Sequence, residues 1–135
     1  MKSITTIVAR YFEAWNAATE AQALAALEDA CAKDVAYTDP GHECASPRSL
    51  AAHIHRTRQR APAYRVNVVS TIDGYGSTFR YAWIFEADGQ LRFSGLDVVT
   101  TDAAGRIATI SSFFGELQHA DEGAPTLRLQ PRFGG

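Results

Sequence analysis

Phe79-Arg80-Tyr81-Ala82-Trp83-Ile84-Phe85-Glu86-Ala87-Asp88-Gly89 reads as a β-strand running into a tight turn. Phe79, Tyr81, Trp83 and Phe85 alternate with Arg80, Ala82, Ile84 and Glu86, the period of two that sends successive side chains to opposite faces of a sheet. The first of those faces is aromatic, so it is expected against a core or against a partner. Asp88-Gly89 is a two-residue connection suited to joining antiparallel strands, since both positions tolerate positive φ. From Tyr64 onward, β-branched and aromatic residues are punctuated by Gly74, Gly76 and Ala104-Gly105, and four strands, mainly in a meander, account for the pattern.

Upstream of Tyr64 the periodicity changes from two to three-and-four. Ser3 caps a predicted helix in which Ile4, Ile7, Val8, Tyr11, Phe12 and Trp15 share one face. Thr19-Glu20-Ala21-Gln22 has the form of a capping box, and Leu24, Leu27 and Cys31 continue a second, shorter helix. Val35–Thr38 predicts a brief strand stopped at Asp39-Pro40-Gly41, where proline confines Asp39 to extended or turn geometry. Ser46-Pro47 opens a third helix through Leu50, Ile54 and Thr57 to Ala61-Pro62. Helices followed by strands imply an α+β domain with the helices laid on one face of the sheet.

At 135 residues and a net charge of −2, the chain suits a single domain with one core. Charges are scattered, so neither nucleic acid nor an anionic membrane is an expected partner. Without a leader-like start or a run of membrane-spanning length, a cytoplasmic location is expected. Cys31 and Cys44 are read as free thiols. The domain is taken as residues 1–117, and the Pro- and Gly-rich tail 118–135 is expected to pack on it or on a neighbour.

Three blocks recur in a recognisable order: Ala9-Arg10-Tyr11-Phe12-Glu13-Ala14-Trp15, then Tyr37-Thr38-Asp39-Pro40-Gly41, then Gly95-Leu96-Asp97-Val98-Val99 running on to Asp102–Ile107 and Phe113-Phe114-Gly115. Together they resemble the nuclear transport factor 2-like superfamily, in its SnoaL-like polyketide cyclase and ketosteroid isomerase branch. The resemblance implies a cone of three helices against a strongly curved, mostly antiparallel mixed sheet, with an apolar pocket and frequent dimerisation through the outer sheet face. It also implies roles: Asp39 as general base, Tyr11 as phenolic oxyanion donor and Asp97 as a carboxylic donor or, on the cyclase pattern, the main acid/base. That division of labour is a known template for enolate chemistry. Trp15, His42, His53, Trp83 and Phe114 are expected to contact the substrate.

The residues themselves leave other readings open. Tyr11 lies in a core stripe where a buried tyrosine is common. Asp39 is also a turn-capping residue, and His53 suits a backbone-bonded core histidine. Asp97 among Leu96, Val98 and Val99 is either an inward carboxyl or an exposed one, and the inward placement is costly unless it serves a purpose. His42, Cys44, His53 and His55 match no metal-ligand spacing, because His53 and His55 point to different faces of one helix, so no metal or other cofactor is expected. The functional expectation is acid/base isomerisation or cyclisation of a small hydrophobic carbonyl compound by a homodimer. A non-catalytic binding or dimerisation module and an epoxide hydrolase, which would need Arg80 or Arg92 in the pocket, are the alternatives.

Overall fold

The computed structural model describes residues 2–120, 123 and 125–132. Helix α1 (Ile4–Trp15) starts where the Ser3 side chain accepts from the backbone N–H of Thr6, and it buries Ile7, Val8, Tyr11 and Phe12. Thr19 caps α2 (Glu20–Ala30) in the same way, through Gln22. The second helix ends one residue before expected: Cys31 has extended backbone and opens strand β1 (Cys31–Asp39), longer than the four residues read from sequence. Helix α3 (Pro47–Arg60) has a reciprocal capping box between Ser46 and Ser49, with proline at its start.

Seven strands form one sheet in the order β2-β1-β7-β6-β5-β3, with β4 paired to β5. They are β1, β2 (His42–Cys44), β3 (Tyr64–Val68), β4 (Asp73–Tyr75), β5 (Thr78–Ala87), β6 (Gln90–Thr101) and β7 (Ile107–Phe114). The three-residue strands β2 and β4 carry too short a pattern to show alternation, so the sequence reading missed both. All pairings are antiparallel except β1 with β7. Register shifts in β1, β5 and β6 insert the irregularities that bend a sheet. The turn at Asp88-Gly89 has φ of 55° and 74°, the positive values expected there.

The three helices cover the concave side, and the core between the layers holds Val8, Tyr11, Leu27, Val35, Leu50, Ile54, Tyr81, Val99, Ile107 and Ile110. Two polar devices lock the open end. The Asn16 side chain exchanges two hydrogen bonds of 2.8 Å with the backbone of Val66, tying the end of α1 to β3. Arg58 donates to the carbonyls of Trp15 and Tyr64 and lies 3.8 Å over the Tyr64 ring, whose hydroxyl donates to the Trp15 carbonyl as well. The end of α1, and with it Tyr11 and Trp15, is thereby held against α3 and β3. Cys31 and Cys44 are both free and buried. From the tail, Gln130 accepts from the backbone N–H of Phe114 at 2.7 Å; residues 121, 122, 124 and 133–135 lie outside the described residues. No described helix is long and apolar enough to cross a membrane.

Candidate active site

Curvature of the sheet leaves a cavity of about 530 Å³ between its concave face and the helices. Its wall includes Tyr11, Asp39 and Asp97 together with Trp15, His42, His53, Trp83 and Phe114. Arg80 and Arg92 are elsewhere: Arg80 pairs with Asp73 and Arg92 with Asp88, both at exposed positions. Neither of the two arginines expected in an epoxide-hydrolase relay lines the cavity; the arginines in its wall are Arg56 and Arg60.

One polar pole is built by β5 and β6. Tyr81 and Asp97 are direct cross-strand partners, and the Tyr81 hydroxyl donates to Asp97 Oδ2 at 2.8 Å. Trp83 faces Gly95, and because Gly95 has no Cβ the indole lies across β6 and reaches Asp97 Oδ1, also at 2.8 Å. A Cβ on Gly95 would stand 2.1 Å from the indole. Ser112, paired with Asp97 from β7, lies beside the carboxyl and favours its ionised form. Asp97 is only 3% exposed, and burial pushes its pKa up to about 6 against the opposing pull of Ser112, Tyr81 and Trp83, with the charge of Asp39 adding to the rise. The carboxyl is therefore not held neutral at physiological pH, as a pure donor would be; it changes charge just below it.

The second pole is built where β1 turns into β2 and α3 crosses above. Asp39 Oδ1 accepts from the Gly41 backbone N–H at 2.8 Å and faces His42 Nδ1 at 3.1 Å. Oδ2 accepts from the Tyr37 hydroxyl at 2.8 Å and faces His53 Nε2 at 3.2 Å. Burial alone would raise the Asp39 pKa, but the bonds from His53, Gly41, Tyr37 and His42 together outweigh it and hold the carboxyl well below the usual range. A carboxylate offers about four lone-pair sites, so Asp39 is fully occupied whereas Asp97, which accepts from Tyr81 and Trp83, keeps acceptor capacity open. The expectation of no metal-ligand grouping compared His53 with His55; the fold instead sets His53 beside His42, ring centroids 4.1 Å apart, on either side of Asp39.

Tyr11 connects the poles. Its hydroxyl accepts from the Trp15 indole at 2.8 Å and keeps its own proton; Trp15 in turn packs edge-on to His53. Burial, then the charge of Asp97, keeps Tyr11 protonated far above its ordinary range, and the charge of Asp39 acts in the same direction. Between the polar groups the wall is aromatic: Phe93 stacks on Phe85 and meets Phe114 and Trp83. Tyr37, Tyr81 and Ser112 were missed as site residues in the sequence, although Tyr37 and Tyr81 each lie on a buried strand position whose alternation was visible.

A curved sheet closed by three helices around one cavity is the nuclear transport factor 2-like architecture. The chain belongs to the SnoaL-like domain family, whose sequence pattern matches residues 8–110. Among solved structures, a proposed isomerase of that family from Agrobacterium tumefaciens C58 is 31% identical over 83% of this chain and 97% of its own, with a TM-score of 0.78. A proposed polyketide cyclase from Sinorhizobium meliloti is 18% identical over 79% of this chain and 93% of its own, at a TM-score of 0.63. A de novo designed protein with a curved β-sheet reaches 0.64 at 14% identity, covering 84% of this chain and 88% of its own. The last two share the fold alone, and a fold by itself does not fix function. No curated protein matches the sequence.

Proposed function

We propose that the cavity is the active site of an acid/base enzyme that abstracts a proton next to the carbonyl of a small hydrophobic compound, leading to double-bond isomerisation or to ring closure. The observation that carries this reading is Asp97: a buried carboxyl in the cavity wall, with a pKa of about 6 and acceptor capacity open. Proton-transfer groups work best when their pKa is near the working pH, and Asp97 meets that condition while the saturated Asp39 does not. In the reaction the Asp97 carboxylate takes the proton, the C–H electron pair moves into the enolate, and the charge that develops on oxygen accepts a hydrogen bond from Tyr11. Returning the proton at another carbon completes an isomerisation; attack of the enolate carbon on a second carbonyl, with the proton passing from Asp97 to the alkoxide so formed, completes a cyclisation. Trp15, Trp83, Phe114 and the neighbouring rings exclude water and bind the apolar body of the substrate, with His42 and His53 at its polar end. The proposed activity of the Agrobacterium relative supports the isomerase form.

The experiment needs no native substrate. Cyclic ketones and 1,3-diketones in D2O are followed by NMR for enzyme-dependent exchange of their α-protons. Exchange by the parent protein, reduced at least a hundredfold in Asp97→Asn and about tenfold in Tyr11→Phe, is expected. Ligand binding without exchange across such a panel would refute the catalytic reading and leave a binding module.

A further inference from the structure

The Asp39 side chain is 4% exposed, and among the described residues its ion-pair contacts are His42 and His53 alone. No described lysine or arginine pairs with it. Buried charge of this kind is costly unless a counter-charge is present. The Asp39 oxygens, Nδ1 of His42 and Nε2 of His53 lie close enough for one ligand atom from each residue to fall within 4.8 Å of the others, and all three residues line the cavity.

We propose that Asp39, His42 and His53 form a binding site for a divalent first-row transition cation, with its remaining coordination positions opening into the cavity. Three geometric facts support it. A cation with bonds of about 2.1 Å places neighbouring ligand atoms about 3.0 Å apart in octahedral and about 3.4 Å apart in tetrahedral geometry, and the two N–O separations are 3.1 and 3.2 Å. The Gly41 N–H and the Tyr37 hydroxyl each hold one oxygen of Asp39 at 2.8 Å, which fixes the plane of the carboxylate, so that the lone pair of each oxygen that now faces a histidine is the one the cation would take. Outer partners of this kind orient the ligands of known metal sites. Finally, two imidazoles and one carboxylate with open positions are the donor set of catalytic zinc and of non-haem iron(II) sites.

Without the cation, the two imidazoles donate to Asp39, because an ionised carboxylate can only accept. With it, the same nitrogens turn their lone pairs to the metal, and the hydrogen of each ring sits on its far nitrogen. The ligand class that such a centre adds is an oxygen donor able to complete the coordination, such as a substrate carbonyl or hydroxyl. The site is separate from Asp97, so its failure would leave the proton-transfer reading standing, and the reverse also holds.

The test is metal uptake by the full chain. Protein treated with chelator is titrated calorimetrically with zinc, then with cobalt(II) to read the absorption of a nitrogen- and oxygen-ligated centre, and bound metal is counted by elemental analysis. About one equivalent per chain is expected. His42→Gln, at a partly exposed position that should not disturb folding, and Asp39→Asn should each weaken binding by about a hundredfold or more, and Tyr37→Phe by about tenfold. Two results would overturn the proposal: no uptake of zinc, cobalt(II), manganese(II) or anaerobic iron(II) at millimolar concentration, or uptake that survives both ligand substitutions unchanged, which would place the metal on other histidines.

Discussion

Changing Trp83 to Phe should raise the pKa of Asp97 from about 6 to between about 7 and 8. The indole N–H donates to Oδ1 at 2.8 Å, in a buried position, and that bond stabilises the ionised form. A hydrogen bond to a charged group contributes about 1.5–3 kcal/mol, and about 1.4 kcal/mol corresponds to one pH unit, so losing it moves the titration by about 1–2 units. Phenylalanine keeps the ring against Phe93 and Phe114, and any water entering the vacated space would only reduce the shift. Carbon-13 NMR of labelled aspartate carboxyls, followed against pH in parent and variant, reads the change directly. If α-proton exchange is established, its pH profile should move by the same amount. A pKa that stays near 6, or falls, would refute the account of this pole.

The pH dependence of stability provides a second check. Asp97 titrates at 3.8 when exposed and at about 6 in the fold, so its contribution favours folding at low pH and is lost as the pH rises from about 4 through 6, by about 3 kcal/mol. Asp39 is shifted the opposite way, so its contribution is present above its unfolded pKa and lost only in stronger acid. Urea unfolding of Asp97→Asn should therefore show a flatter profile between pH 4 and 6 than the parent; parallel profiles would count against the shift. Gly95→Ala should destabilise the fold by about 1–3 kcal/mol, because its methyl group would meet both the indole and the Phe113 carbonyl, the latter at 2.5 Å. Denaturant unfolding measures that cost, and the same variant should raise the Asp97 pKa as Trp83→Phe does. The outer sheet face leaves Ile84, Leu96 and Val98 partly exposed and Phe113 48% exposed, which motivates a homodimer through this surface. Light scattering should give twice the chain mass, and a monomer at micromolar concentration would remove the idea.

Helices α1 and α3 were legible because their signals are local: a capping serine, an apolar stripe and, for α3, a proline at the first turn. The Asp88-Gly89 hairpin was legible for the same reason. Asp97 stood out as a carboxylate inside a β-branched run, where the inward reading depended only on alternation. What could not be read is register. Tyr81 and Trp83 both point inward, but only the pairing of Tyr81 with Asp97 and of Trp83 with Gly95 turns them into its donors. The meeting of His42 with His53 depends on two further facts invisible in a linear pattern. The β1–β2 turn sets His42 opposite Asp39, and α3 must then lie over β1 at a particular angle. Short β2 gave no alternation to suggest the first, and helix placement is a tertiary property.

The single parallel pairing, β1 with β7, has a consequence for how the cavity comes into being. Everything at the Asp39 pole is supplied by residues 37–53, and the Asp97 pole by residues 81–112, so each is assembled within its own contiguous stretch. The two stretches are joined in the sheet only by the contact of β1 with the last strand, between segments some 70 residues apart. Closing so long a loop is entropically costly and slow, which makes the parallel seam a natural late step in folding. The hydrogen bonds of each pole are thus closed within its own half, and what passes between the halves is charge, with Asp39 acting on Asp97 across the cavity.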